Sequence, residues 1–140
     1  MAPDQQRELE VRDTARVVVH RAAVSLDASE GLHRIVIALD DERSYEAASD
    51  VAYEDALDRI RTLLEAESLL LLLCNRFRID AFVSSMVRQM TDGLGCYLVE
   101  ERRPVSPDQI VESLAQAPAE MVSTRADNEA FLHGWIAGFD

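Results

Sequence analysis

Five acids recur at four-residue spacing in the middle of the chain: Glu42, Glu46, Asp50, Glu54 and Asp58. On a continuous helix they form a ridge of carboxylates that climbs about 6 Å per step. Glu46 stands seven residues before Tyr53, which turns it toward the apolar side. The reading therefore rests on Asp50, Glu54, Asp55 and Asp58, with Glu65 further on. Such a ridge suits the arginines or lysines of a protein partner. Glu54 and Asp58 are like charges at i,i+4, an arrangement that costs an isolated helix roughly 0.2–0.5 kcal/mol. The plain alternative is a solvated face on which Arg59 and Arg61 pair with nearby acids.

A second group is basic. Arg76, Arg78 and Arg88 flank the expected start of a helix, where backbone N–H groups and the helix dipole favour an anion. Arginine forks match phosphate or carboxylate. A small-ligand-binding module or enzyme that uses an anion site near residues 75–80 is the alternative function this predicts, although Asp80 competes for the same helix end. The plain reading pairs these arginines with the protein's own acids.

Other chemistries find little footing. Thr91-Asp92-Gly93-Leu94-Gly95 has two glycines but lacks phosphate-loop spacing, and a helix stop followed by a strand accounts for both. Ser84 and Ser85 fall in mid-helix rather than on a nucleophile elbow. His20, His33 and His133 have no acid or cysteine close by in a recognisable motif. No Cys-x-x-Cys, His-x-x-x-His or calcium loop occurs, so no catalytic residue, metal or cofactor is expected. Phe131, Trp135 and Phe139 recur at i, i+4 and i+8. They read as a helix docking on a core, or as an anchor for a partner or a second copy of the chain.

Composition narrows this further. The chain has 140 residues, with 26 acids against 14 basic residues, for a net charge of −12. Every basic residue is arginine, which excludes Schiff-base, phosphate-loop and kinase lysines. The acidity disfavours nucleic acid and anionic membranes and favours capture of a basic protein. The longest apolar run, residues 69–74, is too short to span a bilayer. The first residues show neither a basic start nor an apolar stretch, and Cys74 and Cys96 read as reduced thiols, with pairing to each other as the reading for an exported chain. Together these predict a cytoplasmic protein.

The elements that must position these groups follow from periodicity. Residues 1–13 read as frayed. Residues 16–26 and 33–39 read as a strand hairpin turning at 27–31, and 40–44 as a charged turn. Ser49 caps a helix over 50–66 with Tyr53, Ala56, Leu57, Ile60, Leu63 and Leu64 along its apolar side. Residues 69–74 read as a buried strand, and 80–90 as a helix capped by Asp80. Phe82, Val83, Met86, Val87 and Met90 form its inner face, and Gly93 ends it. Residues 95–100 form a further strand. Ser106-Pro107-Asp108-Gln109 is a capping box opening a helix that carries Ile110, Val111 and Leu114. Met121-Val122 makes a short edge strand. Thr124 caps a last helix whose apolar face holds Phe131, Leu132, Trp135 and Ile136. The prediction is a single α+β domain over 1–140, with a sheet of about four strands and three to four helices largely on one side.

Within residues 69–99, the run Ser85-Met86-Val87-Arg88-Gln89-Met90, then Gly93 and Gly95-Cys96-Tyr97, resembles a segment of small bacterial proteins. Some of these accompany polymorphic toxins as immunity proteins. The resemblance covers under a quarter of the chain and carries over no site residue. It implies a short, cytosolic, non-catalytic protein that inhibits by binding a cognate toxin. The expected function is therefore an acidic binding protein for a basic protein partner.

Overall fold

The computed structural model describes residues 6–67, 69–100 and 103–138. The fold is α+β, and the chain divides into two compact units, Met1–Leu72 and Leu73–Asp140. In place of one sheet of four strands, the described residues form two sheets, of five and three strands, with three α-helices.

The first unit is an antiparallel sheet of order β4-β3-β2-β1-β5. β1 (Gln6–Asp13) occupies most of the segment expected to fray; residues 1–5 of that segment lie outside the described residues. Its alternation explains the order: Leu9 and Val11 point inward between Glu8, Glu10 and Arg12. β2 (Val18–Ser29) and β3 (Leu32–Leu39) form the expected hairpin, but the strands run closer to the turn. Glu30 and Gly31 alone make that turn, with φ of 54° and 79°. A two-residue turn with positive φ at both positions matches the twist of the flanking strands, and glycine supplies the second at no steric cost.

Two differences bear on the acidic series. Residues 44–49 form a strand, β4 (Ser44–Ser49), paired antiparallel with β3. α1 (Tyr53–Ala66) starts later than expected, after Ala52, with no side-chain cap. Ser49 instead accepts from the Val51 N–H at 3.0 Å and donates to Asp55 at 2.8 Å. The four-residue spacing thus crosses a turn, a strand and a connection before it reaches a helix. α1 buries Tyr53, Ala56, Leu57, Ile60 and Leu64, while Leu63 is exposed. It packs on β3, β4 and β5. β5 (Leu70–Leu72) pairs with β1, so the helix touches both outer strands of a sheet that must curl around it.

The second unit is built from shorter pieces. β6 (Ala81–Phe82), β7 (Gly95–Leu98) and β8 (Ile110–Glu112) form an antiparallel sheet in the order β6-β7-β8. The helix expected over 80–90 is shortened to α2 (Ser85–Thr91). Ser84, not Asp80, caps it, accepting from the Val87 N–H at 3.2 Å. Asp80 is held elsewhere by Arg78. Only Val87 of this helix is buried; Met86 and Met90 face solvent. Gly93 follows Asp92 in the left-handed region, where the helix stop was expected.

The helix expected from Ser106 is also replaced. Half of its capping box forms: the Ser106 N–H donates to Gln109 Oε1 at 2.7 Å. The turn is a single 3-10 turn, Pro107–Gln109, and the chain then extends as β8 along β7. β-branched Ile110 and Val111 suit that pairing. Val122 contributes one bridge, to Arg78. α3 (Arg125–Ala137) begins as expected, with Thr124 accepting from the Asp127 N–H at 3.2 Å.

Candidate functional site

The acidic residues are not one ridge. Glu54, Asp55 and Asp58 lie on the first two turns of α1, all partly exposed, and Asp50 lies exposed on the connection from β4. Asp55 is tied inward, accepting from Ser49 and pairing with Arg59 at 3.2 Å. Arg59 reaches back to the Ala48 carbonyl at 2.9 Å, so the pair fastens the helix to β4. Arg61, buried at 1% exposure, pairs with Glu65 at 3.2 Å. Glu54 and Asp58 also interact with other groups of the chain. The plain reading thus holds for Asp55 and Glu65.

The arginine region is likewise committed inward. Arg78 grips Asp80 with a two-pronged fork, both contacts at 2.9 Å. Arg76 sits in a 3-10 turn, Asn75–Phe77. The N–H groups of residues 75–78 all donate to backbone carbonyls, of Ala115, Ser113, Cys74 and Asn75. No free helix end is presented to an anion at this turn. Arg88 is half-buried on α2. The loop is clasped from α3: buried Asn128 donates its side-chain amide toward the carbonyls of Arg78, Ile79 and Ala81, at 2.7–3.3 Å.

On α3, Phe131 and Trp135 are half-buried and pack with Phe82 and Leu132 against Val87, Tyr97 and Val99. Trp135 donates to the Arg103 carbonyl at 3.0 Å, and its ring lies 5.6 Å from that of Phe82. Ile136, expected on the same face, is exposed. Phe139 lies outside the described residues. Ser84 is a helix cap, and Cys74 and Cys96 are buried thiols.

One further polar cluster escaped the sequence reading. His20 does have acid partners, at the end of the first sheet. Its Nδ1 lies 2.8 Å from Asp40 Oδ1, and its Nε2 lies 3.3 Å from Arg43 Nη2 and 3.8 Å from Asp41 Oδ2. Arg43 holds Asp41 at 2.8 Å and approaches the fully buried Asp13 at 3.8 Å. Asp13 also receives the Arg16 N–H and guanidinium, at 3.0 and 3.3 Å. The signal lay in the hairpin register. Ala22 pairs with Leu39, so the residues just before one and just after the other become neighbours.

The electrostatics follow from these contacts. Asp40 is held below the usual carboxylate range, first by the Arg21 N–H and then by His20. Asp41 is lowered by its hydrogen bond with Arg43, and Arg43 is raised by the same bond. Tyr45 is raised, chiefly because burial disfavours the phenolate. A histidine oriented by a carboxylate is the geometry of a general base. Here, however, its second nitrogen faces a guanidinium. Among the described residues no group of three or more His, Cys, Asp or Glu side chains is arranged to hold a metal. No helix among them is long and apolar enough to cross a membrane. Compared with models of known protein families and with curated protein sequences, the chain matches none.

Proposed function

We propose that this chain is a non-catalytic acidic binding protein that recognises a basic protein surface in the cytoplasm, with toxin neutralisation as its narrower form. The observation that carries the reading is the placement of charge. The first unit has sixteen acids against eight arginines, and Asp50, Glu54 and Asp58 reach solvent around the start of α1. Asp55 belongs to the same surface and is braced there by Ser49 and Arg59. Charge of one sign concentrated on a rigid helix speeds capture of an oppositely charged partner. The anion-site alternative has less support, because Arg78 is already spent on Asp80.

A pull-down at low and high salt identifies the partner, and stopped-flow association then tests the surface. Neutralising Asp50, Glu54 and Asp58 together (D50N, E54Q, D58N) should slow association at low salt by about tenfold or more. The dissociation rate should change less. An unchanged association rate removes this surface from the interface.

A further inference from the structure

Two turns meet at the end of the five-stranded sheet. One joins β1 to β2 and is organised by Asp13, whose carboxylate takes the Arg16 N–H and guanidinium. The other joins β3 to β4 and is closed by Asp40, Asp41 and Arg43. His20 lies between them, with 18% of its side chain exposed.

Hydrogen-bond accounting at Arg43 Nη2 limits what these groups can do together. That nitrogen carries two hydrogens. Its neighbours include Asp41 Oδ2 at 2.8 Å, His20 Nε2 at 3.3 Å and Asp13 Oδ2 at 3.8 Å, and the Tyr45 side chain also hydrogen-bonds Arg43. One hydrogen serves Asp41, so His20 and Asp13 share the other. Neutral His20 can accept it, provided the imidazole hydrogen is on Nδ1 and donates to Asp40. Protonated His20 has donors on both nitrogens and no acceptor.

We propose that His20 is a pH-operated latch between the two turns. When neutral, it holds Arg43. When protonated, it releases Arg43 toward Asp13 and turns its new Nε2–H to Asp41. The proton comes from solvent and stays on His20; no other covalent bond is made or broken. Asp13, Arg16, Asp40, Asp41 and Arg43 face the latch. Tyr45 and Glu67 act on it at one remove, Tyr45 through Arg43 and Glu67 through Tyr45. Asp40 and Asp41 are both held low, so they stay ionised throughout the range in which histidine titrates. The turn that receives Arg43 carries Val17, which is 79% exposed and sits at a φ of 56°, so its set is linked to proton binding.

The test is nuclear magnetic resonance on the full chain between pH 5 and 8. Neutral His20 should be the Nδ1–H tautomer. As it protonates, the Arg43 amide, which bonds Asp41, should exchange several-fold faster. The Arg16 amide, which bonds Asp13, should exchange several-fold more slowly, both after correction for intrinsic rates. Opposite responses with His20's own midpoint distinguish a moving guanidinium from a uniform field effect. His20→Gln keeps an acceptor for Arg43 and should abolish both responses. A neutral Nε2–H tautomer, flat Arg16 and Arg43 amides through the His20 titration, or the same responses in H20Q would overturn the latch. The tautomer and amide readings need only the parent chain, so they decide the matter even if H20Q folds poorly.

Discussion

The two units exclude water to different degrees. In the first, Val11, Leu26, Ile35 and Ile37 are fully buried between the sheet and α1. In the second, Phe77, Cys96 and Leu114 are fully buried too, but the cluster of Val87, Tyr97 and Val99 is ringed by half-buried Phe82, Phe131, Leu132 and Trp135. The first unit builds most of its core from β1, β2 and β3, strands of eight to twelve residues whose buried positions alternate and pair with one another across the sheet. The second has strands of two to four residues, and side chains clasp them: Asn128 over the 78–81 loop, Trp135 over Arg103. A fold held by repetition tolerates the loss of one polar contact, whereas a fold held by clasps depends on each.

The largest expected effect tests this directly. Ile37→Ala should cost about 2–5 kcal/mol in urea unfolding, because it opens a cavity in a fully buried layer. Phe131→Ala, at a half-buried position, should cost roughly half as much. Amide exchange should locate the first loss in residues 6–67 and the second in residues 73–138. Equal loosening of both regions by either change would erase the distinction.

Asn128→Ala comes next, at about 1–3 kcal/mol, because buried carbonyls lose their donor. The amides of Ala81 and Val99, which donate to the carbonyls of Arg78 and Asp80, should exchange faster. Unchanged exchange there would show that the clasp is dispensable. Gly31→Ala places a side chain at a φ of 79° and should cost about 1–2 kcal/mol. The loss should appear at the β2–β3 turn.

Acid should act on the first unit before the second. Asp40 and Asp41 have depressed values in the folded chain, so their contribution is complete above the ordinary carboxylate range, about pH 4. It fades as pH falls below that, through the depressed folded values. Asp40→Asn should flatten that limb of the stability–pH curve. The smallest effect is Asp50→Asn, expected within about 0.5 kcal/mol because the residue is exposed. A larger loss would mean that Asp50 serves the fold rather than a partner.

Much of this was legible beforehand. The β2–β3 hairpin, the apolar face of α1, the β7 strand and the Thr124 cap follow from period, turn chemistry and capping. β1 and β4 were missed for one reason. Their inward residues are few (Leu9 and Val11; Tyr45 and Ala47), and charged neighbours mask the alternation. Half of the capping box at Ser106 formed but opened only a 3-10 turn, because β7 offered Ile110 and Val111 a strand partner. Tertiary pairing overrode a correct local signal.

The sequence by itself determined the α+β class, the lysine-free arginine chemistry and the strongly acidic charge, because composition and short-range periodicity act without knowledge of distant partners. Tertiary structure decided which charges remain for others. Asp55 went to Ser49 and Arg59, Asp80 to Arg78, and Arg43 to Asp41, His20 and Asp13. His20 and Asp40 stand twenty residues apart and meet only because the hairpin register lays one strand against the next. Such pairings depend on long-range geometry, to which local spacing is blind.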